Sequence, residues 1–188
     1  SPVRAVTRPG RKLRPGTGGE PWPGVEIVID APDADGVGEV IARGPNVMLG
    51  YFEDPEATAQ VVRDGWLRTG DLGKLDDGGR LVIVGRKKEV IIDLSGKNVY
   101  PDEIEQIYAD SPWLGELSVV GLPNADGGER VACLAVPDYA AAADVARDEL
   151  RRRLEAHFRE VSAGLPQLKR IKVLHFWDGE LPRTATRK

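Results

Sequence analysis

The sequence predicts an α+β protein in which a small β-rich region is followed by a compact α+β domain. The first half of the chain is rich in Gly and Pro and carries short β-like runs. From about residue 89 the predicted order becomes strand, helix, strand, strand, helix, strand, which is typical of one α+β layer. The 188 residues are enough for one medium domain or two small ones.

Turn residues separate the β-like runs of the first half, which predicts small twisted sheets or a partial barrel. The runs are residues 25–29, 38–43, 81–84 and 89–92, with residues 85–88 bridging the last two. One helix interrupts this region. Asp54 can cap it, Pro55 suits its first turn, and residues 56–62 continue it.

Two helices and three further strands are predicted after the run 89–92. Pro101 opens the first helix, with Asp102 and Glu103 in its first turn, where the helix dipole favours acidic side chains. Apolar residues recur near helical spacing over residues 144–161, which predicts the second helix. The predicted strands are residues 119–121, 131–136 and 171–176. The boundary between the two regions falls near residues 86–88.

Composition excludes several classes of protein. A net charge of −4 and a pI near 5.3 argue against a nucleic-acid binder, which would carry a basic excess. No apolar stretch approaches the ~20 residues of a membrane span. Cys133 is the one cysteine and lies in an apolar run, so we expect a buried structural thiol. His157 and His175 are far apart in sequence, and neither suggests a metal site.

Four segments could carry chemistry, although each has a structural alternative when taken alone. They are residues 38–51 with Pro55, residues 65–73, residues 85–105 and residues 181–188. Asp71, at a glycine turn after a strand, could accept hydrogen bonds from the vicinal hydroxyls of a ribose, or simply bond its own backbone. The basic run 85–88 could anchor a phosphate or ribose, or form a solvated hairpin tip. Ser95 and Gly96 could admit a ligand close to the backbone, and the basic terminus could be a frayed tail.

In this order the four segments resemble the successive core motifs of the adenylate-forming enzymes, the superfamily of acyl-CoA synthetases, luciferases and nonribosomal-peptide adenylation domains. The resemblance runs from about residue 10 to Lys188. Within the third segment, two stretches are most similar to those of long-chain fatty-acyl-CoA ligases. They are Gly85-Arg86-Lys87-Lys88-Glu89 and residues 95–101. The family commonly has glycine before the final lysine, whereas this chain has Arg187.

The resemblance implies a domain organisation and a set of site residues. Residues 1–87 would be the terminal β-rich subdomain of a large N-terminal domain, and residues 88–188 a mobile C-terminal lid domain. By this likeness Lys188 is the catalytic lysine, Asp71 and Arg86 bind the nucleotide, and Lys88 is the hinge. The residues that would bind CoA are Ser95, Gly96, Lys97 and Asn98.

The resemblance also implies substrates, partners and a location. The parent enzyme would use ATP, Mg²⁺, CoA and a fatty acid, with the metal site in an N-terminal domain that is absent from this sequence. The abrupt ends, Ser1 without an initiator methionine and Lys188 without a tail, suggest an excised fragment. We therefore expect the 188 residues alone to bind ATP weakly and to be inactive, and we expect a cytoplasmic parent.

Two alternatives remain open at this stage. An adenylating enzyme could pass its acyl group to a carrier protein, as a fatty-acyl-AMP ligase does, and a CoA-dependent product assay separates the two. A non-catalytic binding module could retain the fold, although it would have no need to keep Asp71, Arg86 and Lys188 together.

Overall fold

The computed structural model describes residues 5–6 and 18–182. The chain divides into two compact units, residues 1–88 and residues 89–188. Neither unit contains a helix, among the described residues, that is long and apolar enough to cross a membrane.

The first unit is built on antiparallel β-structure with one short helix. Its elements are β1 (Ala5–Val6), β2 (Glu20–Pro21), β3 (Glu26–Asp30), β4 (Gly38–Arg43), α1 (Pro55–Val61), β5 (Val62–Arg63), β6 (Trp66–Leu75) and β7 (Leu81–Arg86). Strands β1 and β2 form a separate pair, and the other strands form a five-stranded sheet in which β4 lies between β3 and β6. The core of this unit lies around β4, where Val40 and Ala42 are almost fully buried.

Local sequence signals explain α1. The Asp54 carboxylate accepts a hydrogen bond of 2.9 Å from the Ala57 N–H, and Pro55 occupies the first turn, where its missing N–H has no cost. The predicted cap and helix are therefore confirmed.

Strand β6 is the longest strand of the sheet and changes partners along its length. One edge pairs with β4, while the other pairs first with β5 and then with β7. Gly70 has φ +70°, and the pairing register shifts nearby on both edges. A residue with a side chain adopts this φ only at a cost, so glycine suits the bend. Asp71 follows inside the strand, and the expectation that it sits on a turn after a strand is wrong.

The second unit contains a three-stranded sheet, two helices and a small hairpin. Its elements are β8 (Ile91–Ile92), β9 (Asn98–Val99), α2 (Pro101–Tyr108), β10 (Leu114–Pro123), β11 (Glu129–Pro137), α3 (Arg147–Ala163), a 3₁₀ turn (Gln167–Lys169) and β12 (Val173–Phe176). Strand β11 is central, antiparallel to β10 and parallel to β12. Helix α3 lies in the connection between the two parallel strands, as parallel pairing requires a long crossover.

The two helices and the sheet of the second unit share one apolar core. Ile104 and Tyr108 of α2 and Leu154 and Phe158 of α3 are buried in it, together with alternate residues of β11. The Tyr108 hydroxyl hydrogen-bonds the Ser162 hydroxyl at 2.6 Å, so the polar end of this buried ring is satisfied.

Most predicted elements of the second unit are confirmed, with changes at their ends. Helix α2 begins at Pro101 as predicted, whereas α3 begins at Arg147, three residues later than expected. The runs 81–84 and 89–92 lie in different sheets, because β7 pairs with β6 and β8 pairs with β9. Residues 85–88 therefore do not close a hairpin between them.

Candidate functional site

Asp71 and Arg86 stand directly opposite each other on β6 and β7. Arg86 Nη1 lies 3.0 Å from Asp71 Oδ1, and the guanidinium is 42% exposed while the carboxylate is 20% exposed. The sheet pairing therefore brings the two predicted nucleotide residues together, with the guanidinium partly open to solvent. A carboxylate can accept two hydrogen bonds from vicinal hydroxyls, and a guanidinium can donate to a sugar or phosphate oxygen.

The backbone just before Asp71 is fixed from two sides. The Gly70 N–H donates to Glu39 Oε1 at 3.3 Å, and the Gly70 carbonyl accepts from the Lys87 N–H at 2.8 Å. The Asp71 N–H donates to the Thr69 hydroxyl at 3.0 Å. The bend that presents Asp71 therefore depends on strand β4 and on the turn that follows β7.

Glu39 is the buried charge at the centre of this arrangement, with its side chain 9% exposed. Its carboxylate accepts hydrogen bonds of 2.9 Å from both Arg68 Nη1 and Lys87 Nζ. Burial opposes ionisation, but the hydrogen bond and charge of Lys87, with the hydrogen bonds from Arg68 and the Gly70 N–H, outweigh it and lower the pKa of Glu39. A buried carboxylate needs such partners to stay ionised.

The turn after β7 contains two lysines, Lys87 and Lys88, for which we expect different roles. Both are exposed, and the Lys87 ammonium group lies 2.9 Å from Glu39 Oε2. The role of Lys88 as a hinge stays a prediction.

The predicted CoA-binding residues lie together at the exposed tip of the β8–β9 hairpin. Ser95, Gly96 and Lys97 form the connection, and Asn98 begins β9. Gly96 has φ +76°, which favours glycine at this turn. Their contact with CoA stays a prediction.

Asp93 organises this hairpin from inside. Its Oδ1 accepts from the Ser95 and Lys97 N–H groups at 2.9 and 2.8 Å, and both carboxylate oxygens accept from the Ser95 hydroxyl. The Ser95 hydroxyl and the Lys97 N–H lower the pKa of Asp93, since both favour its charged form. The Ser95 hydroxyl is thus engaged within the loop, although residues 95–98 are all exposed.

The catalytic lysine and the metal site are the remaining parts of the expected active site. Lys188 and its neighbour Arg187 lie outside the described residues. Within residues 18–182, no group of three or more His, Cys, Asp or Glu side chains is arranged to hold a metal ion.

The roles of Glu39 and Asp93 were not predicted from the sequence. Glu39 holds the backbone before Asp71, and Asp93 holds the loop of the β8–β9 hairpin. Glu39 stands in the first motif segment, but its partner Lys87 is 48 residues away. A signal for Asp93 was available, because Asp followed two residues later by Ser is typical of a side chain that bonds its own turn.

Comparison with known proteins gives one family match and several long similarities. Residues 103–188 match the AMP-binding enzyme C-terminal domain. The indoleacetate–CoA ligase of Aromatoleum aromaticum is 38% identical over 194 aligned residues, covering 100% of this chain and 36% of that protein. The long-chain-fatty-acid–CoA ligase of Bacillus subtilis is 37% identical, covering 100% of this chain and 33% of its own length.

A solved structure is likewise similar to nearly the whole chain. The crystal structure of ATP-bound MatB from Rhodopseudomonas palustris superposes with a TM-score of 0.77 at 33% identity, covering 98% of this chain and 36% of that chain. The chain thus spans about a third of the length of the curated relatives it matches.

Proposed function

Residues 103–188 belong to the AMP-binding enzyme C-terminal domains, and from that membership we propose that this chain is the carboxyl-terminal part of an ATP-dependent acyl-CoA ligase. The observation that carries the proposal is the Asp71–Arg86 pair on adjacent strands, in a chain similar throughout to CoA ligases.

The proposed reaction has two steps. A carboxylate oxygen of the acid attacks the α-phosphorus of ATP, the bond to pyrophosphate breaks, and an acyl-adenylate forms. The CoA sulfur then attacks the acyl carbon, the bond to AMP breaks, a thioester forms, and the thiol proton leaves to solvent. Mg²⁺ would accompany ATP and offset charge on its phosphates. The described residues contribute no cluster of ligands for it.

In the first step, Asp71 and Arg86 hold the ribose and the adjacent part of the nucleotide. Lys188 supplies positive charge to the carboxylate and the α-phosphate as negative charge develops there, which requires no proton transfer. In the second step, the β8–β9 hairpin, with Ser95, Gly96, Lys97 and Asn98, guides the thiol. The domain from Lys88 onward is the mobile lid, and Lys88 is its hinge.

The acid is a hydrophobic carboxylic acid, and a long-chain fatty acid is our first choice. The 37% identity to a long-chain-fatty-acid–CoA ligase supports it. An aromatic acetic acid is the second candidate, because the indoleacetate–CoA ligase is equally similar to this chain. We place the enzyme in the cytoplasm, where ATP and CoA are available.

The test uses the complete enzyme that contains this chain. Pyrophosphate release and acyl-CoA formation are measured across fatty and aromatic acids, with and without CoA, for the wild type, Lys188→Ala and Lys172→Ala. Lys172 is an exposed lysine of the same unit and serves as the matched control. We expect acyl-CoA from the wild type and the control, and a loss of at least about a hundredfold in Lys188→Ala, the scale of removing one charge-stabilising group.

Three other results would contradict parts of the proposal. Adenylate that accumulates despite CoA indicates an enzyme that loads a carrier protein. Absence of pyrophosphate release with every acid, in wild type and variants alike, indicates a binding module. Pyrophosphate release by the 188 residues alone would contradict our expectation that the chain by itself is inactive.

A further inference from the structure

The turn between β10 and β11 lies against the hairpin that we propose guides the thiol. The turn is closed by the Asn124 N–H donating to the Gly128 carbonyl at 3.0 Å and the Gly127 N–H donating to the Asn124 carbonyl at 3.1 Å. Gly127 and Gly128 both have positive φ, +90° and +65°. Backbone conformation therefore favours glycine equally at the two positions.

At Gly128, but not at Gly127, a close contact also leaves no room for a side chain. A Cβ atom at Gly128 would lie 2.8 Å from the Asp93 carbonyl carbon and 2.8 Å from the Leu94 nitrogen, whereas a Cβ at Gly127 would meet nothing within 4 Å. Both contact atoms are backbone, so a side chain at position 128 would have to push the hairpin or the turn aside.

Glu129, the first residue of β11, adds a second contact to the same hairpin. Its Oε2 accepts a hydrogen bond of 3.0 Å from the Ile92 N–H, across 37 residues of sequence. The carboxylate lies over Gly121 of β10, where a Cβ would come within 2.7 Å of Glu129 Oε1. The absence of a side chain at position 121 therefore leaves the space that this carboxylate uses.

The hairpin needs outside support because it is short. Strands β8 and β9 have two residues each, and an isolated two-stranded hairpin is only marginally stable in water. Asp93 fixes the shape of the loop, but contacts within the loop cannot fix its position in the unit. The buried Ile91 and Val99 anchor the two strands in the core, and the contacts of Gly128 and Glu129 with residues 92–94 anchor the part of the hairpin that leads into the loop.

We propose that Gly128 and Glu129 are positioning residues for acyl transfer to the thiol, because they hold the β8–β9 hairpin in place. The proposal rests on the function proposed above, in which this hairpin guides CoA. Neither residue takes part in adenylation, so the two half-reactions should respond differently when they are changed. A displacement of about 1 Å in a group that positions a substrate is enough to slow a reaction about a hundredfold.

The first test compares Gly128→Ala with Gly127→Ala in the complete enzyme. Both substitutions place a side chain at positive φ, so both carry backbone strain, and only Gly128→Ala introduces the clash. Adenylate formation and thioester formation from preformed adenylate are each measured in single turnovers. We expect thioester formation to fall about tenfold to a hundredfold in Gly128→Ala, and adenylate formation to stay within about twofold of wild type in both variants. Equal losses in both half-reactions, or equal losses in the two variants, would overturn the proposal.

The second test uses Glu129→Gln and Glu129→Leu. The glutamine amide oxygen can still accept from the Ile92 N–H, whereas leucine cannot, although it has a similar size. We expect thioester formation near the wild-type rate in Glu129→Gln and a loss of about tenfold in Glu129→Leu, the effect of one lost hydrogen bond. Equal rates in these two variants would contradict a role for this hydrogen bond.

Hydrogen exchange on the complete enzyme separates the positioning role from the proposed function. The exchange rates of the Ile92 to Asn98 amides should rise in Gly128→Ala and Glu129→Leu, and stay near wild type in Gly127→Ala. Unchanged rates would refute the positioning role whatever the enzyme does. Raised rates in an enzyme that makes no thioester would refute the proposed function and leave the structural contact established.

Discussion

Arg86 Nη1 lies 3.0 Å from Asp71 Oδ1, and the two residues are Cα partners across β6 and β7. The sheet register itself therefore aligns the two groups that we propose hold the nucleotide. The two side chains are in contact before any ligand is present. A nucleotide then meets an aligned site, which lowers the cost of ordering side chains on binding.

Asp71→Asn should weaken nucleotide binding without unfolding the first unit. The amide keeps the shape of the carboxylate but loses its charge and one of its acceptor oxygens. We expect ATP and AMP to bind the complete enzyme about ten- to a hundredfold more weakly, since hydrogen bonds to charged groups contribute about 1.5–3 kcal/mol. Calorimetric titration measures this. The control is Asp77→Asn, an exposed acid in the β6–β7 turn, and equal weakening by the control would contradict the assignment.

Glu39→Gln should destabilise the first unit in a pH-dependent way. The native carboxyl has a lowered pKa, so its ionised form contributes stability at neutral pH that is lost as the pH falls through the native pKa. At pH 7 we expect the variant to be less stable by about 1–3 kcal/mol, because the partners Lys87 and Arg68 lose their buried anion. As the pH falls below the ordinary pKa of glutamate, the difference from wild type should shrink, because the wild-type carboxyl takes up a proton.

Hydrogen exchange of amides in β4 and β6 reports this stability for the first unit alone. Glu26→Gln is the matched control, because the Glu26 side chain is 59% exposed and its pairing with Arg43 is a surface ion pair. A loss in the control as large as that in Glu39→Gln, or a difference that stays constant with pH, would contradict the role given to Glu39.

Cys133 should be unreactive in the folded protein. Burial, followed by the nearby charge of Glu105, raises the pKa of its thiol to about 12, and the residue is only 2% exposed. At pH 8 only about one thiol in ten thousand would be ionised, and the thiolate is the reactive form. A chromogenic disulfide reagent should therefore modify wild type only in denaturant, while an added exposed cysteine, Ala140→Cys, reacts at once. Rapid modification of folded wild type would show that the thiol is accessible.

Leu154→Ala should be among the most damaging single changes in the second unit. Leu154 is fully buried in the core between α3 and the sheet, and truncation of such a residue costs about 2–5 kcal/mol. The neighbouring Glu155→Ala faces solvent and should change the free energy of unfolding by no more than about 0.5 kcal/mol. Exchange of the β11 amides measures both variants. Similar values for the two would mean that α3 does not contribute its apolar face to this core.

Elements specified by neighbouring residues were predictable from the sequence. The start of α2 and the capping of α1 follow from Pro101 and Asp54, each of which acts within one turn of its own helix. The start of α3 was predicted too early, because the apolar Val145 extended the helical pattern into a turn that precedes Arg147.

Relationships between distant residues were not predictable in the same way. The motifs suggested Asp71 and Arg86 separately, but their pairing depends on the bend at Gly70, which sets the register of β6 against its neighbours. The charged state of Glu39 likewise depends on its hydrogen bond with Lys87, which lies 48 residues later in the chain. No local pattern encodes such pairings, because their energy comes from burial and long-range contact.

The parallel pairing of β11 with β12 has a consequence for synthesis of the chain. Ala132 pairs with Val173, so this edge of β11 finds its neighbour only after α3 has been made. On the ribosome, where domains fold as they emerge, the first unit can form while the second still exposes a row of unpaired amides and carbonyls. The second unit therefore has a period in which chaperones or aggregation compete with folding, and this period ends when residues 173–176 emerge.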